Sequence, residues 1–410
     1  MADDATEHEA PTRREYVKYG GAVVGGGLLA GCTGQGEPES TPTETEDRTT
    51  ATEQESTETG DSYEVCMSPV GCIEFDSIPE TVVTNLWINA DTLISFGEGA
   101  RLTGMRTPET QVVSHYDQLP GVEIDASQLA EFEVSNKEQY YELSPDVFHV
   151  DPTILRLWYD GWDESDVREI AENVAPFFGN EGSRTWSESS WPADEGYEFY
   201  TLEELTEKLA RIYDAEKKAQ ALINVREKLL ADIQSSLPPE SERPVVARLL
   251  FYDGEIYPYV FNGPGFGRAH QQPMQARDAF SGLEKVYSKS GGTIDLEALL
   301  EYDPDVMIFF GGIGYWFDAY EETKSELEND SVGQELTAIK NERFYRGGTF
   351  DQGILLNLFQ LEMTAKQLYP EQFGEWPGFD EQRVLPKIPE EEQLFDRQRV
   401  ADIVNGDIRT

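Results

Sequence analysis

The chain has 410 residues, with 32 Lys plus Arg against 79 Asp plus Glu, for a formal net charge of −47. Such a surface repels phosphate backbones and anionic headgroups, which excludes nucleic acid as a partner. The 39% hydrophobic and 11% aromatic content excludes a disordered polyelectrolyte and points to two packed domains whose acidic surface suits high salt.

The chain opens on an export signal. Thr12-Arg13-Arg14-Glu15-Tyr16-Val17-Lys18 matches the twin-arginine pattern, and a glycine-rich apolar run from Gly20 to Ala30 follows, too short to span a bilayer. It closes on Leu29-Ala30-Gly31-Cys32, which resembles the lipobox of secreted lipoproteins. Residues 1–31 are therefore expected to be a signal peptide, with Cys32 lipidated. The protein is expected at the outer face of the cytoplasmic membrane, lipid-anchored and exported folded. Residues 32–62 are Thr, Glu, Ser, Gly and Pro with almost nothing to bury, so they read as the lipidated Cys and a disordered acidic tether. Cys66 and Cys72, with five residues between them, are expected to form a local disulfide across a turn at Pro69-Val70-Gly71.

The folded body alternates short β-rich runs with helices, the signature of an α/β fold. Tyr63 to Phe75 reads as two short strands, Thr81 to Asn85 as a buried strand, Asn89 to Phe96 as a helix and Leu102 to Arg106 as a second strand. Glu138 stands seven residues before Pro145-Asp146, and Glu297 seven before Pro304-Asp305; an apolar run follows each pair. Each unit predicts a helix stopped by proline and then a strand, so two similar α/β lobes are expected. Asp151 to Trp162 reads as a polar-aromatic loop and Glu164 to Ala175 as a helix.

Thr201-Leu-Glu-Glu204 is a capping box. An apolar stripe of Leu205, Leu209, Ile212, Ala219, Leu222, Ile223 and Leu229 follows, up to Pro238-Pro239. This predicts one helix over 201–236, which at 1.5 Å per residue would run about 50 Å along the side of the body. The second lobe opens with strands over Val245 to Phe251 and Tyr252 to Phe261. The glycine-rich loop Asn262 to Gly267 has neither the spacing nor the Lys of a phosphate loop. Val306 to Phe310 is the next strand.

The duplicated Glu-x6-Pro-Asp units, the single connecting helix, and the stretches Ala338 to Tyr345 and Tyr369-Pro-Glu-Gln-Phe373 together resemble the substrate-binding proteins of ABC importers for iron–siderophores and cobalamin. The resemblance covers about Tyr63 to Phe373 and implies two Rossmann-like lobes, 63–200 and 237–410, joined by one long α-helix, with a ligand cleft between lobes. The tail beyond Phe379 has no assigned role. The implied function is capture of an iron(III)–siderophore or similar metal chelate and its delivery to a permease dimer and its ATPase, with cobalamin, haem or a sensory role as alternatives. A monomer without a cofactor is implied; direct metal contact is left open. Glu138 and Glu297 match the positions that dock on the permease, although Glu138 could instead complete a capping box with Ser135.

Candidate ligand-lining residues are the loop aromatics Trp87, Tyr116, Trp158, Tyr159, Tyr252, Tyr257, Tyr315 and Trp316, with Arg106 and Arg268 as anchors for an anionic chelate. Catalysis is not expected. The body holds only His115, His149 and His270, no Gly-x-Ser-x-Gly stands near a strand end, and too few cysteines remain for a metal cluster. His149, inside a strand, reads as a core residue.

Overall fold

A computed structural model describes residues 62–106, 114–185, 196–283, 292–311, 317–379 and 385–408. The signal peptide, Cys32, most of the tether, Tyr315 and Trp316 lie outside these residues.

Tyr63–Met67 (β1) and Gly71–Phe75 (β2) pair antiparallel, with Cys66 opposite Cys72 in register and the expected disulfide joining them. The N-terminal lobe is built on a parallel sheet of Val82–Thr84 (β3), Leu102–Met105 (β4), Ala130–Glu131 (β5) and Val147–His149 (β6), in the order β5-β4-β3-β6. Its helices are Trp87–Ser95 (α1), Lys137–Leu143 (α2), Pro152–Trp158 (α3) and Glu164–Asn173 (α4). β3 and β6 are buried throughout, as strands of a parallel sheet are when helices pack on its faces.

The segment read as a loop, Asp151 to Trp162, contains α3. Asp151 caps it by accepting from the Thr153 N–H, and Pro152 takes the first helical position, where its missing donor costs nothing.

The expected single helix over 201–236 is two helices, Leu202–Ile212 (α5) and Glu216–Ser236 (α6), broken at Tyr213-Asp214-Ala215. Asp214 is left-handed (φ 51°), the Tyr213 hydroxyl bonds His149 Nε2 at 2.6 Å, and the Tyr63 hydroxyl takes the terminal Ile212 carbonyl at 2.6 Å. The ion pair of Glu203 with Arg226, nearly symmetric about the break, shows that α5 folds back on α6. The apolar stripe is real and every member is buried, but it covers a helical hairpin. The link between the sheets is thus the 21-residue α6, about 30 Å long.

The C-terminal lobe has Val245–Tyr252 (β7), Glu255–Tyr259 (β8), Arg277–Asp278 (β9), Val306–Phe309 (β10) and Phe344–Arg346 (β11), ordered β11-β10-β7-β8, with β9 also on β7. Only β8 runs antiparallel to its neighbour. The helices are Leu296–Tyr302 (α7), Phe317–Asn329 (α8), Thr337–Lys340 (α9), Ile354–Leu368 (α10), Pro370–Phe373 (α11) and Arg397–Val404 (α12).

The repeated units correspond closely. α2 ends on left-handed Ser144 (φ 37°) before Pro145, and α7 on left-handed Asp303 (φ 39°) before Pro304. The aspartate after each proline then ties the lobe's first strand. Asp146 Oδ2 accepts from the Thr81 N–H at 2.8 Å ahead of β3, and Asp305 Oδ2 from the Val245 N–H at 2.7 Å. A chain reversal and a strand-start acceptor are both needed at this corner, which is why Pro-Asp recurs.

Helices α1, α6, α10 and α12 share one core with the inner face of both sheets, including Val82, Val246 and Ile308. Separate cores fill the outer sides of the N-terminal and C-terminal sheets.

Candidate functional site

In doubly wound sheets ligands gather beyond the carboxyl ends of the parallel strands. In the N-terminal lobe β3 leads to Asn85 and β6 to Asp151; in the C-terminal lobe β10 leads to Phe310 and β11 to Gly347-Gly348-Thr349-Phe350-Asp351. The two sets meet. Arg184 pairs with Asp351 at 2.5 Å, both buried, and its guanidinium covers the Phe350 ring at 4.5 Å. That contact marks a seam between the lobes.

The C-terminal wall is aromatic and cationic. Phe310 stacks on Tyr259 at 4.4 Å and lies 5.4 Å from Phe350. The Arg248 guanidinium, on the inner face of β7, lies 4.7 Å from the Phe310 ring. Arg248 is 2% exposed, and among the described residues no acceptor or carboxylate is bonded to it; Nη2 is buried and unpartnered. Burial, then the nearby Arg268 charge, lowers its pKa to about 9. Arg268 itself holds the glycine-rich loop, donating to the Val260 and Pro264 carbonyls at 3.2 and 2.7 Å.

Beside these arginines Gln352 fixes a histidine. Its amide donates to the Phe266 carbonyl and to His270 Nδ1 at 2.9 and 3.0 Å, while its oxygen accepts from Asn357 and Gln360. Nδ1 is therefore an acceptor and the proton sits on Nε2. Burial and the Arg248 charge hold His270 neutral, with its pKa lowered to about 3. His270 Nε2 and Gln360 Oε1 are both buried and unpartnered. Gly348 makes room for them: a Cβ there would sit 1.9 Å from Gln360 Oε1 and 2.7 Å from His270 Nε2.

The N-terminal wall is acidic. Asn85 Nδ2 donates to Glu181 Oε1 at 2.5 Å, and Asp151 Oδ2 accepts from the Glu181 N–H and the Tyr197 hydroxyl at 2.9 and 2.6 Å. Burial raises the Glu181 pKa to about 8 against the pull of Arg184. Behind the seam the lobes are joined by hydrogen bonds. Asp91 of α1 accepts from the first N–H groups of α10, Leu355 and Leu356, at 3.0 and 3.1 Å, and from the Tyr116 hydroxyl at 2.5 Å. His115 Nε2 completes this set at 3.2 Å.

The candidate residues are scattered over the two lobes. Trp87 and Tyr116 pack together, buried at the Asp91 joint. Arg268 is buried and Tyr159 half-buried, while Arg106 and Trp158 are exposed. Tyr252 and Tyr257 lie on the β7–β8 hairpin, the first exposed and the second half-buried. Sequence reasoning missed Arg248, His270 and Gln360. An arginine inside the apolar run Val245 to Phe251 was the available signal, because a fully buried unpaired charge is rarely structural.

His149 is a core residue as expected: its Nδ1 donates to the Phe178 carbonyl at 2.9 Å, and burial lowers its pKa to about 4. Among the described residues no histidine is bonded to a Ser, Thr or Cys side chain. A depression of about 520 Å³ at the β9 edge, bordered by Val260, Asn262, Asp278 and Phe280, holds no orphaned buried charge among the described residues. No helix of the described residues is long and apolar enough to cross a membrane.

Glu138 and Glu297 are exposed and equivalent. Each is the second residue of its seven-residue helix, and among the described residues neither carboxylate is bonded. The α2 cap is Asn136, so Glu138 forms no capping box with Ser135.

The family model described as periplasmic binding protein matches residues 82–349. The chain belongs to the periplasmic binding protein family. That is a substrate-binding family, not an enzyme family. Solved structures similar to this periplasmic binding protein include one from Veillonella parvula, at 15% identity and TM-score 0.55 over 80% of this chain and 95% of that one. The petrobactin-binding protein YclQ from Bacillus subtilis aligns at 16% identity and TM-score 0.53, over 75% of this chain and 99% of its own. The iron uptake ABC transporter substrate-binding protein PiuA from Streptococcus pneumoniae aligns at 17% and 0.51, over 73% and 96%. No curated protein matches the sequence.

Proposed function

We propose that the protein is an extracytoplasmic, lipid-anchored substrate-binding protein of an ABC importer, which takes an iron(III)–siderophore or similar anionic metal chelate at the seam and passes it to a permease. The observation that carries this reading is Arg248: a buried guanidinium with unmet donors, set among Tyr259, Phe310 and Phe350 and beside the His270 Nε2–H. Such a charge persists in a fold only where an anion answers it, and the rings suit a bulky, planar guest. Similar proteins, an iron-uptake component and a petrobactin binder among them, favour a ferric chelate. The Asp91 joint keeps lobe motion small, so affinity comes from a preformed cleft.

Glu138 and Glu297, exposed at equivalent corners of the two lobes, are the docking contacts for cationic pockets on the permease dimer. Mass spectrometry of molecules retained by the protein purified in high salt tests the ligand: an anionic metal chelate is expected, and a cationic guest overturns the assignment. Glu138→Ala/Glu297→Ala should leave binding intact and abolish uptake in reconstituted vesicles; persisting uptake removes the docking role.

A further inference from the structure

We propose that residues 385–408 are a strap that fixes the angle between the two lobes. The segment follows Phe379, whose ring lies 5.6 Å from the Arg346 guanidinium at the end of β11, so it departs from the C-terminal lobe. Its first residue engages the opposite lobe: the Leu385 carbonyl accepts from Gln118 Nε2 at 3.3 Å.

Its middle is riveted to α10. Glu362, buried in that helix, accepts from Arg397 Nη2 at 2.5 Å and from the Leu394 N–H at 2.6 Å, and Phe395 packs edge-on against Phe359 at 5.1 Å. A buried charge pair with additional backbone bonds holds one register, because sliding would strand either charge without a partner. Helix α12 then lies along α6 with Val400, Ala401, Ile403 and Val404 buried.

The end of the segment grips the N-terminal lobe. Lys218 Nζ of α6 donates to the Phe96 carbonyl that follows α1 and to the Val404 carbonyl of α12, at 2.5 and 3.1 Å. One ammonium thereby ties three elements. Asn405 Nδ2 donates to the Pro120 carbonyl at 2.9 Å. The approach is close enough to require glycine: at Gly97, which has φ +75°, a Cβ would sit 2.7 Å from the Val404 oxygen. The strap thus adds a further crossing between the lobes, beside α6, the Arg184–Asp351 pair and the Asp91–α10 joint. Rocking of the lobes must break its bonds at one end or the other.

The test reads the lobe angle without a ligand, so it stands apart from the guest's identity. Spin labels at Glu138→Cys and Glu297→Cys, one on each lobe in the full chain carrying Cys32→Ser, report the interlobe distance distribution by pulsed electron resonance. A single narrow distribution is expected. Ending the chain after Asp396, which removes α12, should at least double its width while cooperative unfolding is retained. Should that chain fail to fold, Ile403→Ala/Val404→Ala/Asn405→Ala thins the same grip and should broaden the distribution as well. A folded variant of either kind that keeps the parent width overturns the proposal.

Discussion

Replacing Arg248 with Met should make the protein more stable and a weaker binder at once. Among the described residues the buried guanidinium has no acceptor, and its pKa is lowered to about 9. At 1.36 kcal/mol per unit this places the cost of keeping the charge in the fold on the order of 5 kcal/mol, an upper bound for a site that relaxes. The sign is that of a base with a depressed pKa: the cost is full below pH 9 and fades as pH rises above it. Among the described residues no carboxylate is bonded to the group, so removing it breaks no ion pair, and the repulsion with Arg268 disappears with it. Methionine refills most of the volume against Phe310 and Tyr259, so a gain of about 2 kcal/mol is expected, or about 4 °C in Tm. Binding of the recovered chelate loses a charge-assisted bond and should weaken about 10- to 100-fold. Urea unfolding in high salt followed by tryptophan emission gives the first quantity, and fluorescence titration the second. A variant that loses more than about 1 kcal/mol of stability, or binds as well as the parent, would show that Arg248 is a structural residue and that the seam is not an anion site.

Other substitutions and conditions test the surroundings. Glu181 has its pKa raised to about 8, so the stability it contributes is complete below pH 4.5 and is lost as pH rises from there to 8. Glu181→Gln keeps the acceptor for Asn85 Nδ2 and removes the charge; its advantage over the parent should grow between pH 5 and 8, and an equal difference at both ends contradicts the buried acid. His149 and His270, lowered to about 4 and 3, work in the opposite sense. Below pH 6.5 the unfolded chain protonates first, and each histidine should cost about 2 kcal/mol by pH 5. His149→Gln should flatten that slope, and an unchanged slope speaks against the assignment. Asp91→Ala orphans the Leu355 and Leu356 N–H groups and the Tyr116 hydroxyl at the joint, for a loss of about 3–5 kcal/mol in denaturant unfolding. A loss below about 1 kcal/mol would mean that the joint is not held there.

What the amino-acid order determined is local. Pro145-Asp146 and Pro304-Asp305 marked both corners, because a proline stop and a strand-start acceptor act within a few residues. The spacing of Cys66 and Cys72 marked the hairpin for the same reason, and the stripe from Leu205 to Leu229 marked its buried face. The break at Tyr213 was not legible, since the partner its hydroxyl takes, His149, is distant in the chain. Nor was the cleft: a loop tyrosine or tryptophan carries no sign of whether it meets the seam, the Asp91 joint or solvent. Arg248 became a candidate site only when folding carried it away from every acceptor among the described residues and set His270 and Gln360 nearby with bonds unmade. Periodicity and capping are short-range and are written in sequence neighbours, whereas an unmet hydrogen bond is a property of segments brought together from afar, and tertiary structure alone creates it.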